Sequence, residues 1–284
     1  MWSYSIENIM SEHNVGTYKS IEQRLVETPV APTTGLTPIH PSSEPTASLA
    51  NKTEQEKIEV IANPLQYYVK VSYMITYILL LTTATITFIE AITTSNATVR
   101  HILNLETVIS IIAGYFYSLF LGRINKSSEE DGAIDWKEMN KTRYVDWSIT
   151  TPFMLLVLCA VLGKNVGKTV GLSTFGAIVA LNYFMLLTGY LGEIELMNKS
   201  LAALFGFGGL YGIFYLIYKT FLENKNVLAN NILFGIYLVI WSLYGVVYFL
   251  DEEYKNIFTN ILDAIAKSGM GIGLWAYYTK IVTL

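Results

Sequence analysis

Two stretches decide the fold of this chain: RYVDWSITTP at residues 143–152 and LDAIAKSG at residues 262–269. Each places ionisable side chains inside a long apolar segment, where charge is costly and usually marks a functional position. Asp263 and Lys267 are four residues apart, as are Asp146 and Thr150, so each pair would share one helix face. The pattern predicts two helices that direct these groups into a common interior.

The chain around these stretches has the composition of a membrane protein. Of its 284 residues, 52% are hydrophobic and only 15% are charged, whereas a soluble domain carries about 25% charged residues. Apolar segments of near-membrane length recur at residues 65–90, 102–121, 143–162, 169–191, 200–222, 227–250 and 257–282. The short alternating strands of a membrane barrel are not seen. We therefore predict an all-α membrane protein, a seven-transmembrane-helix bundle over residues 63–284.

Residues 1–62 differ from the rest. They contain five of the seven prolines among many Ser, Thr and Glu, which predicts a disordered N-terminal tail. The net charge of −4 gives no support to a nucleic-acid partner. The three scattered histidines have no metal-ligand spacing, so we predict no metal site.

Charges between the segments predict the orientation. The loops after the first, third and fifth segments and the C-terminus carry basic residues with few acids, whereas the opposite loops are rich in acids. Basic residues in short loops favour the cytoplasmic side. We therefore predict a multi-pass protein in the lipid bilayer with its N-terminus outside and its C-terminus in the cytoplasm. Homo-oligomerisation is left open.

Lys267 has two interpretations. It could form a structural buried ion pair with Asp263. It could also be a reactive amine, since a desolvated lysine can form a Schiff base with an aldehyde. Such a linkage is cationic when protonated and needs carboxylate counterions, which Asp263 and Asp146 would supply while Arg143 balances the second negative charge.

Aromatic side chains favour the second interpretation. Trp241, Tyr244 and Tyr248 in the sixth segment are spaced to share one helix face, and the third segment adds Trp147. Each alone is consistent with ordinary apolar packing. Together they would clamp a flat, elongated ligand.

These motifs resemble those of a known family. The third and seventh segments are similar to the signatures of the microbial rhodopsins, in particular bacteriorhodopsin and proteorhodopsin. The aromatic residues of the sixth segment and the stretch MLLTGYLG at residues 185–192 also resemble this family. Other features are similar to rhodopsins of giant viruses. The resemblance covers about residues 65–284 and implies all-trans retinal, bound as a protonated Schiff base, in a photoreceptor that is not an enzyme.

The resemblance implies roles for particular residues. Lys267 would carry retinal, Asp146 would be the primary counterion and proton acceptor, and Asp263 would be the second counterion. Arg143 would be the gate on the outer side, and Thr150 would hydrogen-bond to Asp146. The implied retinal contacts are Trp147, Thr151, Met154, Met185, Gly189, Trp241, Tyr244, Tyr248 and Tyr117.

The chain departs from the family at four positions. Val157 stands where the pumps carry their cytoplasmic proton donor, and Phe116 where proteorhodopsins carry the histidine partner of the acceptor. Asn182 replaces the helix D acid of bacteriorhodopsin. Gly245 stands where many members have proline.

Glu106 is a candidate for the missing proton donor. The resemblance to the family places Tyr117 level with Asp146. Glu106 precedes Tyr117 by eleven residues and Val157 follows Asp146 by eleven, so both would lie about 16 Å from the counterions on antiparallel helices, at about 1.5 Å per residue. A buried carboxyl group there would stay protonated until needed. Alternatively, Glu106 lies in the first turn of its helix and stabilises the helix dipole.

Three functions fit this set of residues. A light-driven outward proton pump is favoured by the counterions and Arg143. A light-gated channel for protons or small cations is left open by the missing donor at Val157 and by Glu106. A photosensor would fit slow reprotonation of the Schiff base, which gives a long-lived signalling state.

Overall fold

A computed structural model describes residues 64–129 and 133–282, which form seven helices in sequence order. The first six are α1 Pro64–Thr93, α2 Ala97–Glu129, α3 Trp136–Val166, α4 Leu172–Glu193, α5 Lys199–Phe221 and α6 Leu228–Val247. The seventh, α7, runs continuously through Glu252–Asp263, a π-helical turn Ala264–Gly269, and Met270–Tyr278. The predicted tail at residues 1–62 lies outside the described residues.

The helices pack as a closed ring. Each contacts the next in sequence, and α7 also contacts α1. Helices α1 to α6 are each long and apolar enough to cross a membrane by length and composition, while the π-helical turn divides α7. The prediction of an all-α seven-helix bundle is confirmed.

The bundle has apolar side chains outside and charges inside. Ile78, Leu204 and Val239 are more than half exposed on its surface, as expected for side chains that face lipid. Asp146 and Asp263 have no exposed surface at all. This pattern is the reverse of that in soluble proteins. It surrounds the ionisable groups with packed helices and keeps them away from lipid.

Helices α2 and α3 extend farthest beyond their predicted bounds. The expected start of the second segment at residue 102 is wrong, because the side chain of Asn96 accepts hydrogen bonds from the backbone N–H groups of Thr98 and Val99 and caps α2 there. Likewise, Asp135 caps α3 by accepting from the N–H of Glu138. Hydropathy detects only the part of a helix that crosses the apolar layer, whereas these caps lie in the polar flanks.

The corrected start of α2 changes the interpretation of Glu106. The helix begins at Ala97, so Glu106 lies beyond its second turn and not in its first. The helix dipole acts on charges within the first turn and therefore gives no account of this carboxyl group. Glu106 is instead buried, with only 2% of its surface exposed.

Lys267 lies within the π-helical turn of α7. Such turns are rare and occur mostly at functional sites, because they alter the backbone direction inside an otherwise regular helix. Asp263 ends the α-helical piece that precedes the turn. Nothing in the residue spacing indicated this change of helix type.

Candidate functional site

The amine of Lys267 is paired with two carboxylates in the middle of the bundle. Its Nζ lies 2.7 Å from Oδ2 of Asp146 on α3 and 3.5 Å from Oδ2 of Asp263, one turn away on α7. All three side chains have 1% or less of their surface exposed. The structure brings together the three groups that the sequence singled out, and Asp146 is the nearer acceptor.

Asp263 is held by neutral donors as well as by charge. Its Oδ1 accepts hydrogen bonds from the hydroxyl of Tyr244 at 2.6 Å and from the indole N–H of Trp147 at 3.3 Å. The hydroxyl of Tyr117 lies 2.9 Å from its Oδ2. These contacts stabilise the ionised form of Asp263.

Asp146 has fewer donors. The hydroxyl of Thr150 lies 3.3 Å from its Oδ1 but 2.9 Å from its backbone carbonyl oxygen, and one hydroxyl proton serves both. Its remaining close partner is the amine of Lys267. Of the two carboxylates, Asp146 is therefore the one better placed to accept a proton.

Arg143 lies on one side of this group. Its Nη1 is 3.5 Å from Oδ2 of Asp263, and its Nη2 donates to the hydroxyl of Tyr73 at 2.5 Å. Nη2 also donates to the side-chain oxygens of Asn256 and Asn260, each at 3.0 Å. With Arg143 and Lys267 against two aspartates, the buried formal charges cancel.

Tyr73, Asn256 and Asn260 were missed in the sequence. A usable signal was present, because Asn256, Asn260, Asp263 and Lys267 recur at helical spacing and give α7 a continuous polar face. Tyr73 sits on α1 among apolar residues, and only its contact with Arg143 distinguishes it from a packing residue.

A cavity extends from Lys267 between the helices. Its walls include nearly all of the predicted retinal contacts: Trp147, Thr151, Met154, Met185, Gly189, Trp241, Tyr244 and Tyr248. Tyr117 is not among the lining residues and lies instead against Asp263. Asp146 and Thr150 are also not among them, although Asp146 reaches the amine directly.

Two glycines shape the walls. A β-carbon on Gly245 would overlap the ring of Phe207, another lining residue, so proline or a larger residue here would require that ring to move. A β-carbon on Gly189 would lie 2.8 Å from the hydroxyl of Tyr144. The rings of Trp147 and Tyr244 meet edge to face, with centroids 5.4 Å apart. A rigid aromatic slot with an amine at its end suits a flat apolar aldehyde.

Glu106 lies on the other side of Lys267 from Arg143. A β-carbon built on Gly271 of α7, four residues beyond Lys267, would be 3.1 Å from Oε2 of Glu106. We call the two sides of the Lys267 nitrogen the arginine half and the glutamate half of the bundle. Among the described residues, no hydrogen bond or ion pair is found for the Glu106 carboxyl group.

The departures from the family have structural counterparts. Val157 is fully buried in the main apolar cluster, together with Ile102 and Ile109 of α2. Phe116 is buried in a second apolar cluster. The amide of Asn182 donates to the hydroxyl of Thr151 at 2.8 Å, so this residue joins α4 to the cavity wall on α3 without a charge.

A second charged group lies farther along the arginine half. The amine of Lys255 is 2.6 Å from Oε1 of Glu193 and 2.7 Å from Oε1 of Glu252. The amide of Asn140 donates to both carboxylates, at 2.5 and 2.9 Å. We call these four residues the terminal cluster. Sequence reasoning missed it because its members come from three helices and its two glutamates were counted as loop charges.

Comparison with known proteins establishes the family. Residues 68–281 match the family described as bacteriorhodopsin-like protein, and the chain belongs to this family. It is thus a microbial rhodopsin, an integral membrane protein that crosses the bilayer several times.

The relatives include proteins named bacteriorhodopsin and proteins named sensory rhodopsin. The chain is 29% identical over 147 residues to "Bacteriorhodopsin" of Haloterrigena sp. (strain arg-4), a match that covers 46% of this chain and 56% of that protein. It is 30% identical to "Sensory rhodopsin-2" of Haloarcula vallismortis, covering 46% and 59%. The matched region thus spans little more than half the length of these relatives.

Solved structures extend the comparison over the whole bundle. The crystal structure of viral rhodopsin OLPVRII is 43% identical, with a TM-score of 0.70, covering 76% of this chain and 99% of that one. A blue light-absorbing proteorhodopsin from Med12, at 22% identity and a TM-score of 0.61, shares the fold. The likeness to the viral protein supports the predicted viral branch.

Proposed function

We propose that this protein is a light-driven outward proton pump. The observation that carries the proposal is the asymmetry around the Lys267 nitrogen. Its closest partner is Oδ2 of Asp146 at 2.7 Å, Arg143 and Asp263 lie in the arginine half, and a buried carboxyl group lies in the glutamate half. A pump needs an acceptor on one side of the nitrogen and a source of protons on the other.

Lys267 would hold all-trans retinal as a protonated Schiff base. The fit rests on a buried amine that opens into a slot of aromatic rings and two glycines. When bound, retinal supplies absorption of visible light and a light-driven change of shape beside the amine. The protein's own part is to set where the proton at the Lys267 nitrogen goes.

Asp146 would be the proton acceptor. Transfer of the proton from the Lys267 nitrogen to Oδ2 of Asp146 crosses a distance of one short hydrogen bond. Both groups become neutral, so the transfer separates no charge in the buried site. Asp263, held by Tyr244, Trp147 and Arg143, would stay ionised as the second counterion.

The arginine half would face outward. When Asp146 is neutral, Asp263 is the ionised aspartate beside Arg143. The other partners of Arg143, Tyr73 and Asn256, are neutral. The terminal cluster lines the same cavity through Asn140, Glu193 and Lys255. This polar route fits release of a proton to the side where the predicted orientation puts the N-terminus.

Glu106 would return a proton to the Lys267 nitrogen. Its position beside Gly271 puts a carboxyl group about 6 Å along the α7 axis from the backbone of Lys267, at about 1.5 Å per residue. The Lys267 side chain extends from that backbone to Asp146, so the proton must travel farther than this to reach the nitrogen. Burial without a charged partner keeps such a group protonated in the resting protein. This assignment compensates for Val157, which carries no proton.

The alternatives remain a channel and a sensor. The relatives named above include a sensory rhodopsin, and buried carboxyl groups on both sides of the nitrogen could also serve a passive pathway for ions. The pump is preferred because the Lys267 nitrogen has an acceptor carboxylate 2.7 Å away in Asp146 and a separate buried carboxyl group, Glu106, on its other side.

Photocurrent and pH measurements test the proposal. Cells expressing the protein with retinal should acidify their medium in light, and a protonophore should abolish the signal. Photocurrent in a voltage-clamped cell should keep one sign across voltages. Asp146→Asn should abolish both signals and shift absorption to the red or remove the visible band, while Glu138→Gln, at an exposed position on the same helix, should leave them intact.

Other outcomes would reject the pump. A current that reverses with the ion gradient identifies a channel. Coloured protein without current identifies a sensor. Alkalinisation that the protonophore abolishes identifies inward transport.

A further inference from the structure

Gly271 lies where the last piece of α7 packs against α1 and α2. A β-carbon built on this residue would be 2.7 Å from Cγ2 of Thr83 on α1 and 3.1 Å from Oε2 of Glu106 on α2. The backbone at this position is ordinary helix, since among the described glycines only Gly167 has a positive φ. Glycine inside a regular helix weakens the helix, so the close approach of the neighbours is what requires glycine here. We call Thr83, Glu106 and Gly271 the glycine junction.

A second glycine on the same piece of α7 has different surroundings. A β-carbon on Gly273, two residues farther along, would have no neighbour within 4 Å. Gly273 is exposed on the surface, whereas Gly271 is buried. The need for a missing side chain is therefore specific to position 271, and Gly273 provides a matched control.

The missing side chain of Gly271 lies on the face of α7 that carries Lys267. The two residues are four positions apart and so share one helix face. In an α-helix the bond from the α-carbon to the β-carbon is tilted toward the N-terminus, which at Gly271 is the direction of Lys267. A methyl group at this position would therefore point from beside the Glu106 carboxyl group toward the turn that carries Lys267.

The α1 side of the glycine junction is fixed in position. Thr83 is fully buried, and its hydroxyl donates to the backbone carbonyl oxygen of Leu79 at 2.8 Å. Turning this side chain to move its methyl group away from α7 would break that hydrogen bond. One turn along, the hydroxyls of Thr87 and Thr107 lie 2.8 Å apart and join α1 to α2. Thr83 and its helix therefore resist displacement.

The carboxyl group of Glu106 is the movable part of the glycine junction. It is buried, it lies at the end of a flexible side chain, and no hydrogen bond or ion pair holds it among the residues that the structure describes. Packing alone determines where the carboxyl group lies, and the bare backbone of Gly271 forms one wall of its site.

We propose that Gly271 is a positioning residue for proton return, because its missing side chain lets the Glu106 carboxyl group pack directly against the Lys267 face of α7. Any larger residue at position 271 displaces the carboxyl group away from α7 and lengthens the route to the Lys267 nitrogen. The role in proton return rests on the proposed function, whereas the packing of Glu106 against Gly271 does not.

The kinetic test uses a variant that isolates the contact with Glu106. Thr83→Ser removes the methyl group nearest to Gly271 and keeps the hydroxyl, so Gly271→Ala in that background presses mainly on Glu106. Flash photolysis should show proton return about tenfold slower than in Thr83→Ser alone, since misplacing a reacting group by about 1 Å costs about 100-fold. A small permeant weak acid should restore the rate, which a general loss of structure would not allow. Gly273→Ala should leave the rate unchanged.

The packing is tested separately, through the temperature at which the visible band is lost. Gly271→Ala in the Thr83→Ser background should lower this temperature relative to Gly273→Ala in the same background, which reports the gain in helix propensity alone. The difference should shrink when Glu106→Ala frees the space beside α7. Such non-additivity is expected of residues in contact.

The outcomes separate this inference from the assignment of the donor. A temperature difference that does not depend on Glu106 overturns the inference, whatever the kinetics of Glu106→Gln. Normal proton return in the Gly271→Ala variant, with slow return in Glu106→Gln, overturns the positioning role and leaves the donor assignment intact. Normal return in Glu106→Gln rejects the donor, while a temperature difference that depends on Glu106 still supports the packing.

A further variant decides the matter if the combined Thr83 and Gly271 variant gives no visible band. Glu106→Asp keeps the carboxyl group but draws it back from Gly271 without adding an atom to the glycine junction. Proton return should again slow about tenfold, because the same group is misplaced by a similar distance. Return at the wild-type rate would overturn the positioning role.

Discussion

The two halves of the bundle interior differ in how their polar groups are satisfied. In the arginine half, Arg143 is bound by Tyr73, Asn256 and Asn260, and farther along Lys255 is paired with two carboxylates. In the glutamate half, Glu106 lacks any hydrogen bond among the described residues, and several hydroxyls are unpaired. One half is a completed network, and the other is an apolar region with isolated polar groups.

This difference suggests how direction is imposed on proton movement. A completed network accepts a proton with little rearrangement, because its donors and acceptors are already oriented. An apolar region blocks protons until its few polar groups are linked. The proton at Lys267 therefore has a prepared path toward Arg143 and a path toward Glu106 that must be assembled.

The largest expected effect is the loss of the chromophore. Lys267→Ala, expressed with retinal, should give colourless protein, because within residues 64–129 and 133–282 no other lysine is paired with Asp146 or Asp263. Absorption in the visible range measures this. Lys255→Met is the matched control, since Lys255 is a second buried lysine that lines the cavity, and it should keep a visible band. Colour retained in Lys267→Ala would disprove the attachment site.

The next effect tests the completed network. Asp263→Asn removes a charge and leaves the buried cations with one aspartate, which should destabilise the protein by about 3–5 kcal/mol, as for other broken buried pairs. The temperature at which the visible band is lost should fall accordingly. Glu223→Gln, which breaks the exposed pair with Lys219, should change it little. Equal effects of the two substitutions would contradict the importance assigned to the network.

The third effect tests the apolar half. Glu106→Gln keeps the size of the side chain but removes its proton, so proton return to the Lys267 nitrogen should slow about 100-fold, a typical contribution of general acid catalysis. Flash photolysis measures the rate. A small permeant weak acid should accelerate it again. Unchanged recovery would make direct uptake from water the better account of proton return.

The smallest effect distinguishes two members of the terminal cluster. The side chain of Glu193 is 9% exposed and that of Glu252 is 37% exposed, although both bind Lys255. Solvent weakens the more exposed pair, so Glu252→Gln should cost less than about 1 kcal/mol, whereas Glu193→Gln should cost more. Thermal loss of the visible band ranks the two. The reverse ranking would mean that the cluster is held mainly through Glu252.

Much of the molecule follows from the sequence by itself. A 52% hydrophobic chain with recurring membrane-length segments must place its apolar surface toward lipid and the few charges within those segments inside the bundle, because a charge exposed to lipid is costly. The four-residue spacing from Asp263 to Lys267 puts both on one face of α7, and the aromatic spacing on α6 gives the cavity wall. These are properties of single helices, and residue periodicity determines them.

The tertiary structure alone decided which groups meet across helices. The Asp146 to Lys267 distance, the anchoring of Arg143 by Tyr73, and the terminal cluster each join residues more than fifty positions apart. Periodicity assigns a residue to a face but not to a partner, because the rotation and depth of each helix are set by packing against its neighbours. For the same reason, only the structure removed Glu106 from the first turn of α2 and placed it beside Gly271.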